Sequence, residues 1–137
     1  VGMVLPYLNS LGDLKVTAAA RILTADLQYA QNLAITRQEP ITVSFDLVGE
    51  SYSLSDASGV LIHPINKKAY TVNFTAMPRF EEMNIVSSNF AGNTLVSFDE
   101  FGAPNSSGSV TLQAGGYTYR VDVASATGKV TVTPVGS

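Results

Sequence analysis

The sequence has no cysteine, a single histidine and few charged residues. Without cysteine the chain can form neither a disulfide nor a thiolate metal site. This absence does not identify the protein's cellular compartment, because exported proteins need not carry disulfides. Charged residues make up 14% of the 137 residues and hydrophobic residues 45%, a balance that excludes a disordered chain and allows a real core. The net charge of −3 gives no general attraction to nucleic acid or anionic lipid.

The residue types that carry catalysis are sparse. His63 precedes Pro64 in a predicted turn, and no serine lies in the G-x-S-x-G turn that would support a Ser–His–Asp triad. Adjacent carboxylates on a strand point to opposite faces, so such pairs are expected at solvated edges or loops rather than across a glycosidase-like cleft. The two pairs are Glu81 with Glu82 and Asp99 with Glu100. The sequence therefore predicts no catalytic residue.

Metal and nucleotide sites are not indicated either. Residues 56–59 lack the alternating oxygens and the final glutamate of a calcium loop, and residues 99–105 are more typical of a turn than of a metal site. Gly115 and Gly116 precede neither a Lys-Ser/Thr pair nor a helix, as a phosphate-binding loop requires. We predict no metal ligand, no cofactor-binding residue and no cofactor.

The basic residues are dispersed along the chain. Only Lys67 and Lys68 are adjacent, and no aromatic residue lies between them. A few clustered cations can still form a local patch on an acidic protein, so weak DNA binding remains an alternative.

The first eight residues, VGMVLPYL, are apolar and carry no charged side chain. A transmembrane helix needs about 20 apolar residues, so this segment alone cannot span a bilayer. A signal peptide would begin with a basic stretch, which is missing here. Two interpretations stay open on composition alone: a short N-terminal core segment, or the trailing end of a membrane helix.

Residues 10–38 have the apolar periodicity of a helix with two apolar rows. One row consists of Val16, Ala19, Ala20, Leu23, Leu27, Ala30 and Ala34. The second row consists of Leu11, Leu14, Ala18, Ile22, Ala25, Tyr29 and Leu33. The second row lies about 100° around the helix axis from the first row, and one sheet covers only one face of a helix. The second row therefore needs another partner, either from this chain or from a neighbouring one. The polar remainder, including Asp26, is predicted to form a narrow solvated strip.

Beyond Pro40, which ends the predicted helix, the apolar period changes from 3.6 to 2, as in half-buried strands. Strands are predicted near residues 41–47, 52–54, 69–74, 85–87, 94–98, 110–113, 117–123 and 129–133. One helix followed only by antiparallel-looking strands predicts an α+β fold with the helix packed on β-sheet. No repeat or linker interrupts it, so we predict a single domain over residues 1–137, with a β-rich head at 40–133.

Three segments resemble the GspH/FimT family of minor pseudopilins and pilins. Residues 27–43 (LQYAQNLAITRQEPITV) are similar to the family's helix end, with its polar residues, proline and first strand. Residues 96–104 (VSFDEFGAP) resemble its F-D-x-x-G-x-P turn, and residues 121–130 (VDVASATGKV) its closing hairpin. Together, in this order, the segments cover most of the chain.

The sequence departs from the family pattern in two places. Gln31 stands where arginine is common after Ala30, which we expect to matter little at an exposed helix position. The membrane helix with its processed N-terminus is absent. The resemblance implies that residues 1–8, with Pro6 at the kink typical of pilin helices, are the tail of that helix.

The resemblance further implies a pilin-like fold and a structural function without enzymatic activity. The subunit would assemble near the tip of a type II secretion pseudopilus or of a type IV pilus, with other pseudopilins or pilins as partners. A prepilin peptidase would cleave the precursor, the new N-terminus would be methylated, and one helix would anchor the subunit in the bacterial inner membrane with its head in the periplasm.

Five residues of the second apolar row form our predicted assembly face: Leu11, Leu14, Ala18, Ile22 and Tyr29. The main alternative is a FimT-like minor pilin that binds DNA for uptake, although such members use arginines near the C-terminus and only Lys129 follows Gly128 here. A small hydrolase using Asp99 and Glu100 ranks third.

Overall fold

The computed structural model describes residues 10–78, 80 and 82–135, with side chains from Asp13 onward. Within this range one long helix, α1 (Ser10–Arg37), precedes nine strands and a short 3₁₀ helix. The strands are β1 (Ile41–Asp46), β2 (Ser51–Asp56), β3 (Gly59–Val60), β4 (Thr71–Asn73), β5 (Asn84–Asn89), β6 (Leu95–Phe98), β7 (Gly108–Ala114), β8 (Tyr117–Val123) and β9 (Val130–Pro134). The 3₁₀ helix is Phe74–Ala76. Residues 1–9, which include the predicted membrane-helix tail, lie outside the described part.

Helix α1 ends one residue before the predicted position. Gln38 adopts a left-handed backbone conformation with φ of 59°, and the Glu39 N–H donates to the Ala34 carbonyl at 3.2 Å. This is the 6→1 hydrogen bond of a Schellman cap, here with glutamine in the usual glycine position. The Gln38 side chain also donates to the Ile35 carbonyl at 2.8 Å. The helix therefore stops at this cap, before Pro40 is reached.

The strands form two antiparallel sheets. In the first sheet the order is β3-β2-β1-β6, with β4 also paired to β2, and in the second it is β5-β7-β8-β9. The Gly115–Gly116 turn joins β7 to β8, with Ala114 opposite Tyr117. The Glu50 carboxylate accepts a hydrogen bond from the Ile85 N–H, which ties the β1–β2 turn to the second sheet.

The first apolar row of α1 (Val16 to Ala34), called the inner row from here on, lies across both sheets and is fully buried. It contacts β7, β8 and β9 of the second sheet and β1 and β6 of the first. All seven residues predicted for this row belong to one continuous core together with strand residues such as Val43, Phe98 and Leu112. The helical periodicity therefore identified the core face of α1 correctly.

Candidate assembly surface

The second apolar row of α1 divides between two environments. Leu14 is 60% exposed, and Ala25 is also exposed. Ala18 and Ile22 are half-buried, and Leu11 lies outside the residues whose side chains are described. Tyr29 is half-buried, with its ring stacked on that of Tyr70 at a centroid distance of 5.6 Å.

The helical turn angle explains this division. At 100° per residue, Leu14, Ala18 and Ala25 lie on the outer face, opposite the buried row, whereas Ile22 and Tyr29 lie on the flank nearest the first sheet. The outer face also carries polar residues, among which Arg21, Gln28 and Asn32 are exposed. The uncovered apolar surface is therefore smaller than the full second row and is centred on Leu14, Ala18 and Ala25.

Asp26, which the sequence places in the solvated strip, instead joins α1 to the first sheet. Its two carboxylate oxygens accept hydrogen bonds from the Tyr52 and Tyr70 hydroxyls, each at 2.5 Å. The prediction of a solvated role for Asp26 is wrong, because two phenols from the β-rich head reach over the helix flank. Burial, followed by the effect of Asp26, raises the pKa of both Tyr52 and Tyr70.

These raised pKa values predict a loss of stability at alkaline pH. In the unfolded chain the phenols ionise near pH 10, whereas in the folded protein Tyr52 and Tyr70 keep their protons to higher pH. Above about pH 10 the unfolded state therefore binds fewer protons, and the free energy of unfolding falls as pH rises. Urea unfolding between pH 8 and 11.5 measures this slope. Tyr52→Phe is expected to make it shallower, and an unchanged slope would contradict the assignment.

A second tyrosine contact joins the beginning of α1 to the second sheet. The Tyr119 hydroxyl donates to Asp13 at 2.6 Å, and this hydrogen bond raises the pKa of Tyr119. Asp13 is half-buried and lies in the first turn of the helix, where a carboxylate also interacts favourably with the helix dipole. The helix is thus bonded to one sheet through Asp13 and to the other through Asp26.

Gln31 holds together the three segments that resemble the GspH/FimT family. Its side-chain nitrogen donates to the Gly102 carbonyl at 2.8 Å and to the Thr127 carbonyl at 2.9 Å. The first carbonyl belongs to the turn after β6 and the second to the β8–β9 turn. Gln31 is half-buried. The expectation that this position is exposed and matters little is therefore wrong.

Replacing Gln31 with alanine is expected to lower the free energy of unfolding by about 2 kcal/mol, because two hydrogen bonds to carbonyls are lost. Gln31→Glu is expected to cost at least as much, since a carboxylate cannot donate and would face two carbonyl oxygens. Gln28→Glu, at an exposed position of the same helix, is the matched control. Urea unfolding measures all three, and equal stability of the Gln31 and Gln28 variants would contradict the role.

The polar residues considered above as catalytic or metal sites instead accept backbone hydrogen bonds within turns. His63 Nδ1 accepts a hydrogen bond from the Ile65 N–H at 3.0 Å, which confirms its predicted position in a turn. The Asp99 carboxylate accepts from the N–H groups of Phe101 and Ala103, at 2.9 and 3.0 Å. Across residues 10–78, 80 and 82–135, no group of three or more His, Asp or Glu side chains is arranged to hold a metal ion. Glu81 is outside this range.

Two of the basic side chains that the structure describes pair with carboxylates. Arg37 pairs with Asp56 at 3.3 Å, and Arg120 pairs with Asp122 at 2.9 Å. Lys67 and Lys68 are exposed on a loop after β3.

None of the helices in the described part of the chain is long and apolar enough to cross a membrane.

Comparison with known proteins places the chain in a family. The minor pseudopilin EpsH from the type 2 secretion system of Vibrio cholerae is similar at a TM-score of 0.66 and 12% identity, over 90% of this chain and 99% of that one. The type IV minor pilin FimU of Pseudomonas aeruginosa is similar at 0.63 and 18% identity, over 89% and 90%. No curated protein sequence matches significantly. The family model "Type II transport protein GspH" matches residues 19–128, so the chain belongs to the GspH family of pilin-like minor pseudopilins.

Proposed function

We propose that this chain is a structural minor pseudopilin that joins a type II secretion pseudopilus, or the equivalent type IV pilus, near its tip. Membership of the GspH family and the pilin-like fold support a filament subunit. The observation that carries the proposal is the asymmetry of α1. Its inner row is completely buried by the head, while Leu14 and Ala25 stay exposed on the opposite face.

We assign the packing of neighbouring subunits to this outer face. Small residues at Ala18 and Ala25 let the backbone of another helix approach closely, and Leu14 supplies apolar area that water would otherwise contact. Tyr29, in contrast, already packs on Tyr70 and contributes its ring mainly to the head. The proposed face therefore keeps Leu14, Ala18 and the edge of Ile22 from the original prediction, and adds Ala25.

Cysteine crosslinking in cells tests this face, because the chain has no cysteine of its own. Single cysteines at Leu14 and Ala25 are expected to crosslink to other pilin-like subunits during filament assembly, several-fold more than a cysteine at Val48. Val48 is the matched control, since it is 95% exposed and lies in the β1–β2 turn of the head. Crosslinking that is equal at the three positions, or confined to Val48, would contradict the assignment of the outer face of α1 to subunit packing.

Family membership also supports a localisation that we propose: a single-pass inner-membrane protein with its head in the periplasm before it joins the filament. Its precursor would be a substrate of the prepilin peptidase. Both proposals concern residues before Ser10, outside the described part of the chain. On the strength of the same membership we also propose a structural, non-enzymatic function, and the Asp99 carboxylate already has two backbone N–H partners in its turn.

A further inference from the structure

The chain's single histidine lies near the start of a tight loop between β3 and β4. We call residues 62–69 the His63 loop, and an antiparallel bridge between its first and last residues closes it. Within the loop, the His63 N–H donates to the Lys68 carbonyl at 2.7 Å, and the Lys67 N–H donates to the His63 carbonyl at 3.0 Å. Residues 64–67 therefore form the tip of a short hairpin that His63 and Lys68 close.

The side chain of His63 accepts backbone hydrogen bonds from this tip. Its Nδ1 atom accepts from the Ile65 N–H at 3.0 Å and from the Asn66 N–H at 3.4 Å. The N–H group two residues further along the chain is the one that an aspartate or asparagine side chain bonds in an Asx turn. His63 thus takes the place of an Asx residue. A ring nitrogen accepts only while it carries no proton, so the loop as it stands requires an imidazole that is unprotonated at Nδ1.

Contact with Tyr70 fixes the orientation of the imidazole ring. The centroids of the two rings lie 4.4 Å apart, with an angle of 39° between the ring planes, and His63 is half-buried. The Tyr70 hydroxyl donates in turn to Asp26 on α1. The ring is therefore held against the folded head, with its Nδ1 atom directed at the tip of the loop.

The tip has little else to hold it in this conformation. Lys67 has φ of 62°, a left-handed backbone conformation that is disfavoured for a residue with a side chain. Ile65 is 83% exposed, and Asn66 and Lys67 are exposed as well, so burial contributes little to the order of the tip. Asn66 Oδ1 accepts one further hydrogen bond, from the Lys68 N–H at 2.8 Å. The order of the tip therefore depends strongly on the hydrogen bonds to the imidazole.

We propose that His63 is a pH-sensitive switch that orders the tip when its ring is neutral and releases the tip when its ring is protonated. A histidine side chain ordinarily takes up its second proton at about pH 6.5. Both nitrogens of an imidazolium are donors, so Nδ1 would then direct a proton at the Ile65 and Asn66 N–H groups. Those two groups lose their acceptor, and residues 64–67 become mobile.

The switch changes how an apolar surface is presented. Ile62 and Ile65 are 64% and 83% exposed, and the closed loop holds both in one arrangement. In acid Ile65 moves with the tip, whereas Ile62 stays at the bridge that closes the loop. This inference goes beyond the filament role and does not depend on it, because it concerns one loop of the head and no partner.

The other titratable groups around His63 do not produce this pH dependence. They come from the loop itself, from the residue before β4 and from α1, and they are Lys67, Lys68, Tyr70, Tyr29 and Asp26. Burial, followed by the hydrogen bond to Asp26, raises the pKa of Tyr70, so this phenol stays neutral in acid. Lysine, aspartate and tyrosine side chains ordinarily titrate outside the range between pH 5 and 7.5. A change in the loop within that range therefore reports on His63.

NMR of the ¹⁵N-labelled 137-residue chain at about pH 7.5 and about pH 5 tests the switch. The backbone order parameters of residues 65–67 are expected to fall from about 0.85, typical of rigid backbone, to below about 0.6, typical of a flexible segment. The midpoint of the Ile65 amide shift should coincide with that of the His63 ring protons. The turn at residues 99–103, which contains no histidine, is the internal control and should stay ordered. Unchanged order at residues 65–67, or a midpoint unrelated to that of the ring, overturns the proposal.

Two variants separate the switch from a general effect of acid. His63→Asn keeps a side-chain oxygen that accepts the same N–H group at both pH values, so its loop is expected to stay ordered at pH 5. His63→Ala has no acceptor, so its loop is expected to be flexible at both pH values. Loosening of the His63→Asn loop in acid to the same extent as the wild type would contradict the proposal, as would an ordered loop in His63→Ala.

Discussion

Asp26→Ala is expected to lower the free energy of unfolding by about 3 kcal/mol. A hydrogen bond to a charged group contributes about 1.5–3 kcal/mol, and Asp26 accepts two of them, from Tyr52 and Tyr70. Tyr52 is buried, so its hydroxyl would lose its partner in a place with little access to water. The loss would also release the contact between α1 and the first sheet.

Urea unfolding followed by circular dichroism measures this cost, with Asn32→Ala as the control. Asn32 is exposed on the same helix, so its replacement is expected to change the free energy of unfolding by less than about 0.5 kcal/mol. Tyr70→Phe should fall between the two, because Asp26 then keeps the Tyr52 hydroxyl. If Asp26→Ala were no more costly than Asn32→Ala, the carboxylate would not join the helix to the sheet.

Gly128→Ala is expected to destabilise the head by about 2–4 kcal/mol, for two reasons that add. Gly128 has φ of 71°, where an alanine is strained by about 1 kcal/mol. An added Cβ would also lie 2.5 Å from Gln31 Nε2 and 3.0 Å from the Gly102 carbonyl oxygen, so the Gln31 side chain would be displaced from its two acceptors. The substitution therefore costs both backbone strain and the Gln31 hydrogen bonds.

Gly92→Ala separates the two effects. Gly92 has φ of 88°, but an added Cβ there would meet nothing within 4 Å, so only strain is expected. Combining Gly128→Ala with Gln31→Ala tests the second effect, because both substitutions remove the same hydrogen bonds. The double variant should be less destabilised than the sum of the single variants. Full additivity, or equal costs at Gly128 and Gly92, would show that Gln31 is not involved.

Periodicity predicted the parts of the fold that depend on neighbours in sequence. The 3.6-residue period predicted the row from Val16 to Ala34, and the burial of all its members shows that this row, rather than the second one, is the core face. The alternation in residues 41–47 likewise predicted β1, in which Ile41, Val43 and Phe45 are buried. Local patterns are sufficient here because burial repeats with the period of the element itself.

The partners of the polar helix residues could not be predicted in this way. The acceptors of Gln31 lie 71 and 96 residues further along the chain, and the tyrosines that reach Asp26 lie 26 and 44 residues away. A polar residue flanking an apolar row has the same local pattern whether it faces water or a tyrosine from a distant strand. Only the arrangement of two sheets around α1, which the pattern of strands did not reveal, distinguishes these cases.

The same limit applies to the second apolar row. The sequence assigned Leu14 and Tyr29 to one face because both follow the same spacing, yet Leu14 is exposed and Tyr29 stacks on Tyr70. At 100° per residue, a step of four residues rotates the position around the helix by 40° and a step of three by 60° the other way, so the row spreads over a wide arc. Leu14 and Ala25 lie on the outer side of that arc, and Ile22 and Tyr29 lie on the side nearest the first sheet.

The polar contacts of α1 have a mechanical consequence. Asp13 and Gln31 lie 18 positions apart, which corresponds to about 27 Å along the helix, with Asp26 between them, and each of the three bonds sideways to the head. A force that pulls the helix along its axis strains these bonds in parallel, whereas bonds clustered at one end would break one after another. The head should therefore resist extraction of α1 along its axis more strongly than it would if the same number of contacts lay at a single point.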